Sequence, residues 1–161
     1  MTNESEFLTA LEVPGFKGVF HIACTAKRAT LHSQQKRAFN LAYALQKEHA
    51  DLVEKGTKVA IVGAGGAGLT AVTAFVKLGC EVHIFERSDV VLPLQRGCLT
   101  RHLHPNIYDW PNPASKYPVT HLPYMNWSAA NSDMVAKRLL EQWQLFADEN
   151  KELLREHLLE K

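Results

Sequence analysis

KVAIVGAGGAGLTAVTAFVKLGCEVHIFER, residues 58–87, is the stretch on which the fold turns. Val59, Ala60, Ile61 and Val62 form an apolar run of strand length that stops at Gly63-Ala64-Gly65-Gly66-Ala67-Gly68. Beyond the glycines the apolar spacing becomes helical. Leu69, Val72 and Val76 share one face, and Ala71, Phe75 and Leu78 another, as expected of a helix covered on two sides. Gly79 supplies a helix stop, and Val82, Ile84 and Phe85 form a second strand ending at Glu86. The order is strand, tight turn, helix, strand: a βαβ unit.

The glycines of the turn have separate tasks. Gly63 permits the sharp exit from the strand, Gly65 has no side chain to hold the backbone away from a pyrophosphate, and Gly68 lets helix and strand approach closely. Phosphates placed here meet backbone N–H groups and the positive end of the helix dipole. Glu86, eighteen residues after Gly68, stands where such a fold places an acid against ribose hydroxyls. Strand, glycines, helix, second strand and acid fall in register, which predicts an α/β chain built on a Rossmann-like unit that binds an adenine dinucleotide. The candidate binding residues are Gly63, Ala64, Gly65, Gly66, Ala67, Gly68 and Glu86. A βαβ unit that kept its packing glycines and lost its ligand is the competing reading.

The arrangement resembles the FAD-binding front end of the two-dinucleotide-binding-domain flavoproteins, related to glutathione reductase and the amine oxidases. Gly63, Gly65, Gly68, Gly79 and the Glu86-Arg87 pair carry the match. RGCLTRHLHPNIYDWP (96–111) looks like a segment of a bacterial subgroup of FAD/NAD(P)-binding oxidoreductases, and LHSQQKRAFNLAYAL (31–45) looks like the helix before its first strand. The resemblance covers about residues 30–127. It implies FAD as cofactor, with NAD or NADP as the alternative, Glu86 on the ribose and Arg87 against the adenosine. It also makes Arg96, Gly97, Thr100 and Arg101 expected contacts near pyrophosphate and flavin. Complete flavoproteins of this kind are much longer, so the expectation is the FAD-binding portion of a truncated or split flavin-dependent oxidoreductase. A non-catalytic nucleotide-binding or partner-binding module on the same scaffold is the alternative. No catalytic residue is assigned.

The chain has 161 residues, enough for one core. Eighteen basic against seventeen acidic residues give a formal charge of +1, so no global field favours nucleic acid or an anionic membrane. Lys58 and Lys77 bracket eighteen uncharged residues, but their glycines and threonines make a poor membrane span. Cys24, Cys80 and Cys98 are odd in number, widely spaced and without a CxxC, which points away from a disulfide framework or zinc site and toward reduced cytoplasmic thiols.

Residues 1–17 are expected to be a mobile N-terminal segment, lacking the basic and apolar regions of a secretory signal. Residues 18–127 are expected to form the Rossmann-like FAD/NAD(P)-binding domain, with a short strand over 18–24 and His21 as an ordinary strand residue. Lys27 and Arg28 read as solvated. Ser33 is the expected N-cap of a long helix to about Glu54, with Gln34, Gln35 and Arg37 its most distinctive residues. Prolines at 93, 105, 111, 113, 118 and 123 keep regular elements short between residues 90 and 127. His102 and His104 fall on one side of an extended segment with Asp109 nearby, without a full metal-ligand set. Tyr108, Trp110, Tyr117, Tyr124 and Trp127 are expected to anchor this loop to the core. Residues 128–161 are expected to be helical, with Leu153, Leu154, Leu158 and Leu159 continuing the stripe of Val135, Leu139 and Trp143. That face serves either its own sheet or a protein partner or second copy of the chain.

Overall fold

The computed structural model describes residues 3–22 and 29–159. Its centre is a three-stranded parallel sheet made by β1 (Lys58–Val62), β2 (Glu81–Glu86) and β5 (Leu154–Leu158), in the order β1-β2-β5. Val59 pairs with Val82 and Ile61 with Ile84, while Val82 pairs with Leu154 and Glu86 with Leu158. Between β1 and β2 runs α3 (Gly66–Lys77), which gives the predicted βαβ unit. Ten of its twelve residues are buried, as befits a helix packed on the sheet and under a second helix layer. Gly79, at φ +89°, turns the chain back toward β2.

That second layer is α2 (Leu31–Glu48). Its cap is Thr30 rather than Ser33. The Thr30 hydroxyl accepts the Ser33 N–H at 3.0 Å and the Ser33 hydroxyl accepts the Thr30 N–H at 2.9 Å, so Ser33 completes a capping box from inside the helix. The helix stops at Glu48, short of the expected Glu54, and a 3₁₀ turn over Ala50–Leu52 leads to β1. Residues expected as a mobile end carry α1 (Asn3–Leu11), whose Leu8 and Leu11 are buried and which packs on α2. The strand expected over 18–24 is, in its described part, a single bridge between Glu12 and Phe20. Ala23, Cys24, Lys27 and Arg28 lie outside the described residues.

Between residues 90 and 127 the backbone is irregular, holding β3 (His102–Leu103) and a 3₁₀ turn over Pro113–Lys116. β3 pairs antiparallel with β4 (Ala130–Asn131), directly before α4 (Ser132–Glu149). Trp127 anchors the loop, at 3% exposed, whereas Trp110 is 79% exposed and Tyr108 and Tyr117 are also exposed. The expectation of a general aromatic anchor is therefore corrected, because the loop lies along the surface over most of its length. α4 buries Val135, Leu139, Trp143 and Phe146 within its own chain.

The second leucine run does not extend α4. Asn150 ends the helix, its side chain donating to the Phe146 carbonyl, and Leu154 starts β5 directly after the turn that joins Leu153 N–H to the Asn150 carbonyl. Leucines at 154 and 158 suit a strand face as well as a helix face, and pairing with β2 decides for the strand. The helices cover one face of the sheet, where Ile61, Val82, Ile84 and Leu154 are buried. Along the other face lie Ala60, Val62, His83, Phe85, Arg155 and His157. There Val62 is 88% exposed, and the Phe85 and His157 rings stack 4.5 Å apart.

Candidate functional site

The turn between β1 and α3 is built by close approach. A Cβ on Gly68 would stand 1.8 Å from the Gly63 carbonyl oxygen, so only glycine lets the helix start this near the strand. A Cβ on Gly66 would meet the Leu31 side chain at 2.2 Å, which sets how close α2 lies to α3. Gly63, at φ +101°, turns away from β1 while its N–H stays bonded to the Phe85 carbonyl at 2.7 Å. Around Gly65 the space is open. Gly65 is the N-cap of α3 and offers no side-chain hydrogen bond, and the N–H groups of a helix's first turn have no acceptor within the helix.

Those residues open onto a cavity of about 460 Å³, a volume in the range of small-molecule sites. Gly65, Gly66 and Ala67 form one wall, Glu86, Arg87 and Ser88 another, and Pro93, Leu94 and Gln95 a third. Thr30, Leu31 and Gln34 from the start of α2, with Arg101 and Leu103, complete it. The cavity thus joins the uncapped start of α3, the acid at the end of β2 and the start of α2.

Glu86 is held by the turn it faces. Its carboxylate accepts the Ala64 N–H at 2.8 Å and the Ser88 N–H at 2.9 Å. Partial burial pushes its pKa upward, and these backbone hydrogen bonds outweigh that effect and hold it below the usual glutamate range. Each carboxylate oxygen keeps further acceptor capacity for a ligand hydroxyl.

Of the residues singled out from sequence, Gly65, Gly66, Ala67, Glu86, Arg87 and Arg101 line this cavity. Gly63, Ala64 and Gly68 shape the turn behind it. Arg96 donates from Nε to the Val91 carbonyl at 2.7 Å, and Gly97 donates its N–H to Asp133 at 2.8 Å; neither borders the cavity, and nor does Thr100. The start of α4 secures this segment, since the Ser132 and Asp133 N–H groups bond the carbonyls of Arg101 and Cys98. A hydrogen bond from Lys137 and another from the Gly97 N–H hold the Asp133 carboxyl below its ordinary value.

Gln34 borders the cavity, whereas Gln35 is fully buried behind it. Its amide nitrogen donates to Thr70 Oγ1 at 3.1 Å and the Met125 carbonyl at 2.9 Å, and its oxygen accepts from Trp127 Nε1 at 2.7 Å. Gln35 shares a helix face with Leu31, Ala38 and Leu45, a spacing in the sequence that places it toward the core. Gln95, which sequence gave no reason to notice, is a lining residue of the cavity, and its buried Oε1 has no hydrogen-bond partner among the described residues.

A second cavity of about 150 Å³ shares Ala29, Thr30, Leu31, Arg101 and Leu103 with the first and is lined by His102, His104 and Trp127. His104 Nδ1 accepts the Asn106 N–H at 3.2 Å, which leaves the neutral ring's proton on Nε2. His32, buried beside it, bonds the Pro105 carbonyl through Nδ1, and burial pushes its pKa down. Among the described residues no group of three or more His, Cys, Asp or Glu is placed to hold a metal ion, and no helix is long and apolar enough to cross a membrane.

The model of the pyridine nucleotide-disulphide oxidoreductase family matches residues 58–100, which run from the start of β1 through the cavity walls at Glu86 and Gln95. This match supports an FAD/NAD(P)-binding oxidoreductase family for that portion of the chain. No curated protein and no solved structure matches the chain.

Proposed function

We propose that the chain binds an adenine dinucleotide in the larger cavity, FAD before NAD or NADP, and is the nucleotide-binding portion of a flavin-dependent oxidoreductase. The observation that carries this reading is that the uncapped start of α3 and Glu86 face one cavity. The pyrophosphate lies against the N–H groups of Gly65, Gly66 and Ala67, where the helix dipole favours an anion and the open space at Gly65 admits it. Glu86 accepts the ribose hydroxyls, and Arg87 and Arg101 add positive charge at the rim. The open space at Gly65, beside N–H groups that have no acceptor within the helix, fits a phosphorylated ligand.

When bound, FAD supplies hydride transfer; the residues described here bind it and orient it. Cytoplasmic location belongs to the same proposal, supported by the free thiols of Cys80 and Cys98. The second reading, a nucleotide-binding or partner-binding module without redox turnover, draws on the sheet face that carries exposed Val62, Phe85 and His157.

An absorbance spectrum of the purified chain, followed by chromatographic identification of whatever denaturation releases, tests both. Oxidised flavin supports the first reading, released or added ADP-like nucleotide without flavin the second. Gly65→Val fills the space at the turn and is expected to abolish nucleotide binding in calorimetry. Unchanged affinity in that variant overturns the placement of the phosphates.

A further inference from the structure

The smaller cavity has no part in the nucleotide reading, yet its walls are firmly held. Arg101 and Leu103 border both cavities, whereas His102, His104 and Trp127 border only the smaller one, so the chain at β3 runs between the two. Trp127 is fixed by the bond from its Nε1 to Gln35 Oε1. The loop after β3 is tied to α2 by the bond between His32 Nδ1 and the Pro105 carbonyl, and the Asn106 N–H holds the His104 ring through Nδ1.

The charge around this cavity is of one sign. No aspartate or glutamate is among the described residues that line it, and Asp109, which acts on His32, does not border it. Arg101 pairs with no carboxylate among the described residues, whose ion pairs lie at Glu81, Asp133 and Asp148. Leu31, Ile107 and Trp127 supply apolar surface. At about 150 Å³ the cavity is smaller than the roughly 300 Å³ at which drug-sized sites begin, a volume for a molecule of about one ring. A guanidinium without a partner, a second N–H donor on His104 and apolar walls together suit a small organic acid. We propose that the smaller cavity is a substrate site for a small carboxylate, held by Arg101 and His104 with its body against Trp127, beside the nucleotide of the larger cavity. Binding of the anion stands on the smaller cavity alone; its role as substrate rests on the dinucleotide reading.

Calorimetry with benzoate, and with benzamide as an uncharged molecule of the same shape, tests it. Benzoate is expected to bind about tenfold more tightly than benzamide, and to keep that affinity when adenosine diphosphate saturates the larger cavity. Arg101→Gln, a change at an exposed side chain whose fold is checked by an unaltered urea midpoint, is expected to bring benzoate down to the level of benzamide. His104→Phe is expected to weaken benzoate by about threefold or more. Equal binding of benzoate and benzamide, binding of neither, displacement of benzoate by the nucleotide, or full benzoate affinity in both variants overturns the site. Nucleotide binding without benzoate overturns this inference and leaves the dinucleotide reading in place. Benzoate binding by a chain that takes no nucleotide keeps the anion site and overturns its role as a substrate site.

Discussion

The junction of α2 with α3 and the wall of the larger cavity each bury part of a glutamine amide, and they treat it in opposite ways. At the junction Gln35 is wholly enclosed, and both ends of its amide are bonded, to Thr70, Met125 and Trp127. Thr70 passes the chain on to the Gly66 carbonyl at 2.7 Å, so the network ends at the glycine turn. At the wall, the buried Gln95 Oε1 has no hydrogen-bond partner among the described residues. A satisfied buried amide fastens elements together; a buried amide oxygen without a partner carries the cost of its lost solvation.

The strongest way to break this contrast is Gln35→Leu. It strands the Trp127 N–H and the Met125 carbonyl in the interior and is expected to lower stability by about 2 to 4 kcal/mol in urea unfolding. A loss below about 1 kcal/mol would place Gln35 with Gln95 as dispensable to the fold. Trp127→Phe removes the donor from the same network and some packing volume. Its expected cost is about 1 to 2 kcal/mol, read from the shift of the urea midpoint at unchanged slope.

Glu86, on the cavity side, sharpens the comparison through pH. Its folded pKa lies below the unfolded value of about 4.3, so its contribution to stability is present above that value and fades as pH falls through the folded one. Glu86→Gln is therefore expected to flatten the acid limb of a stability–pH curve and leave the curve's shape above about pH 6 unaltered. An identical acid limb in the variant would contradict the backbone hydrogen bonds to Ala64 and Ser88. The smallest effect belongs to Gln95→Leu, expected to change the stability of the ligand-free chain by less than about 0.5 kcal/mol, in either direction. A large loss there would show that the wall is structural.

The unit from β1 to β2 was legible because each of its signals is local. Four apolar residues, a run of glycines and a 3.6-residue period need no distant partner for their meaning. β5 was not legible for the opposite reason. Leu154 and Leu158 satisfy helix and strand spacing alike, and the choice is made by the edge of β2, far away in sequence. The acid at Glu86 and the turn glycines stood out as candidates in the sequence, and the structure brings Gly65, Gly66 and Glu86 to one cavity. The third wall was not, since nothing near Gln95 announces that Leu92 will bond to Ala64 and carry the loop onto the glycine turn. Gln35 stands between these cases: the sequence singled it out as a distinctive residue of its helix, while its partners Met125 and Trp127 come from a loop whose path no periodicity describes.

The sheet order has a kinetic consequence. β1, α3 and β2 are consecutive, so the first strand pair closes over a short loop, while β5 reaches β2 only after the whole segment between Glu86 and Leu154 has been gathered in. Chain entropy makes that second closure the slower one. Until it happens, the strand destined for the middle of the sheet has a bare edge. The glycine turn and its acid are therefore assembled early, and the barrier to completing the sheet lies in bringing β5 home.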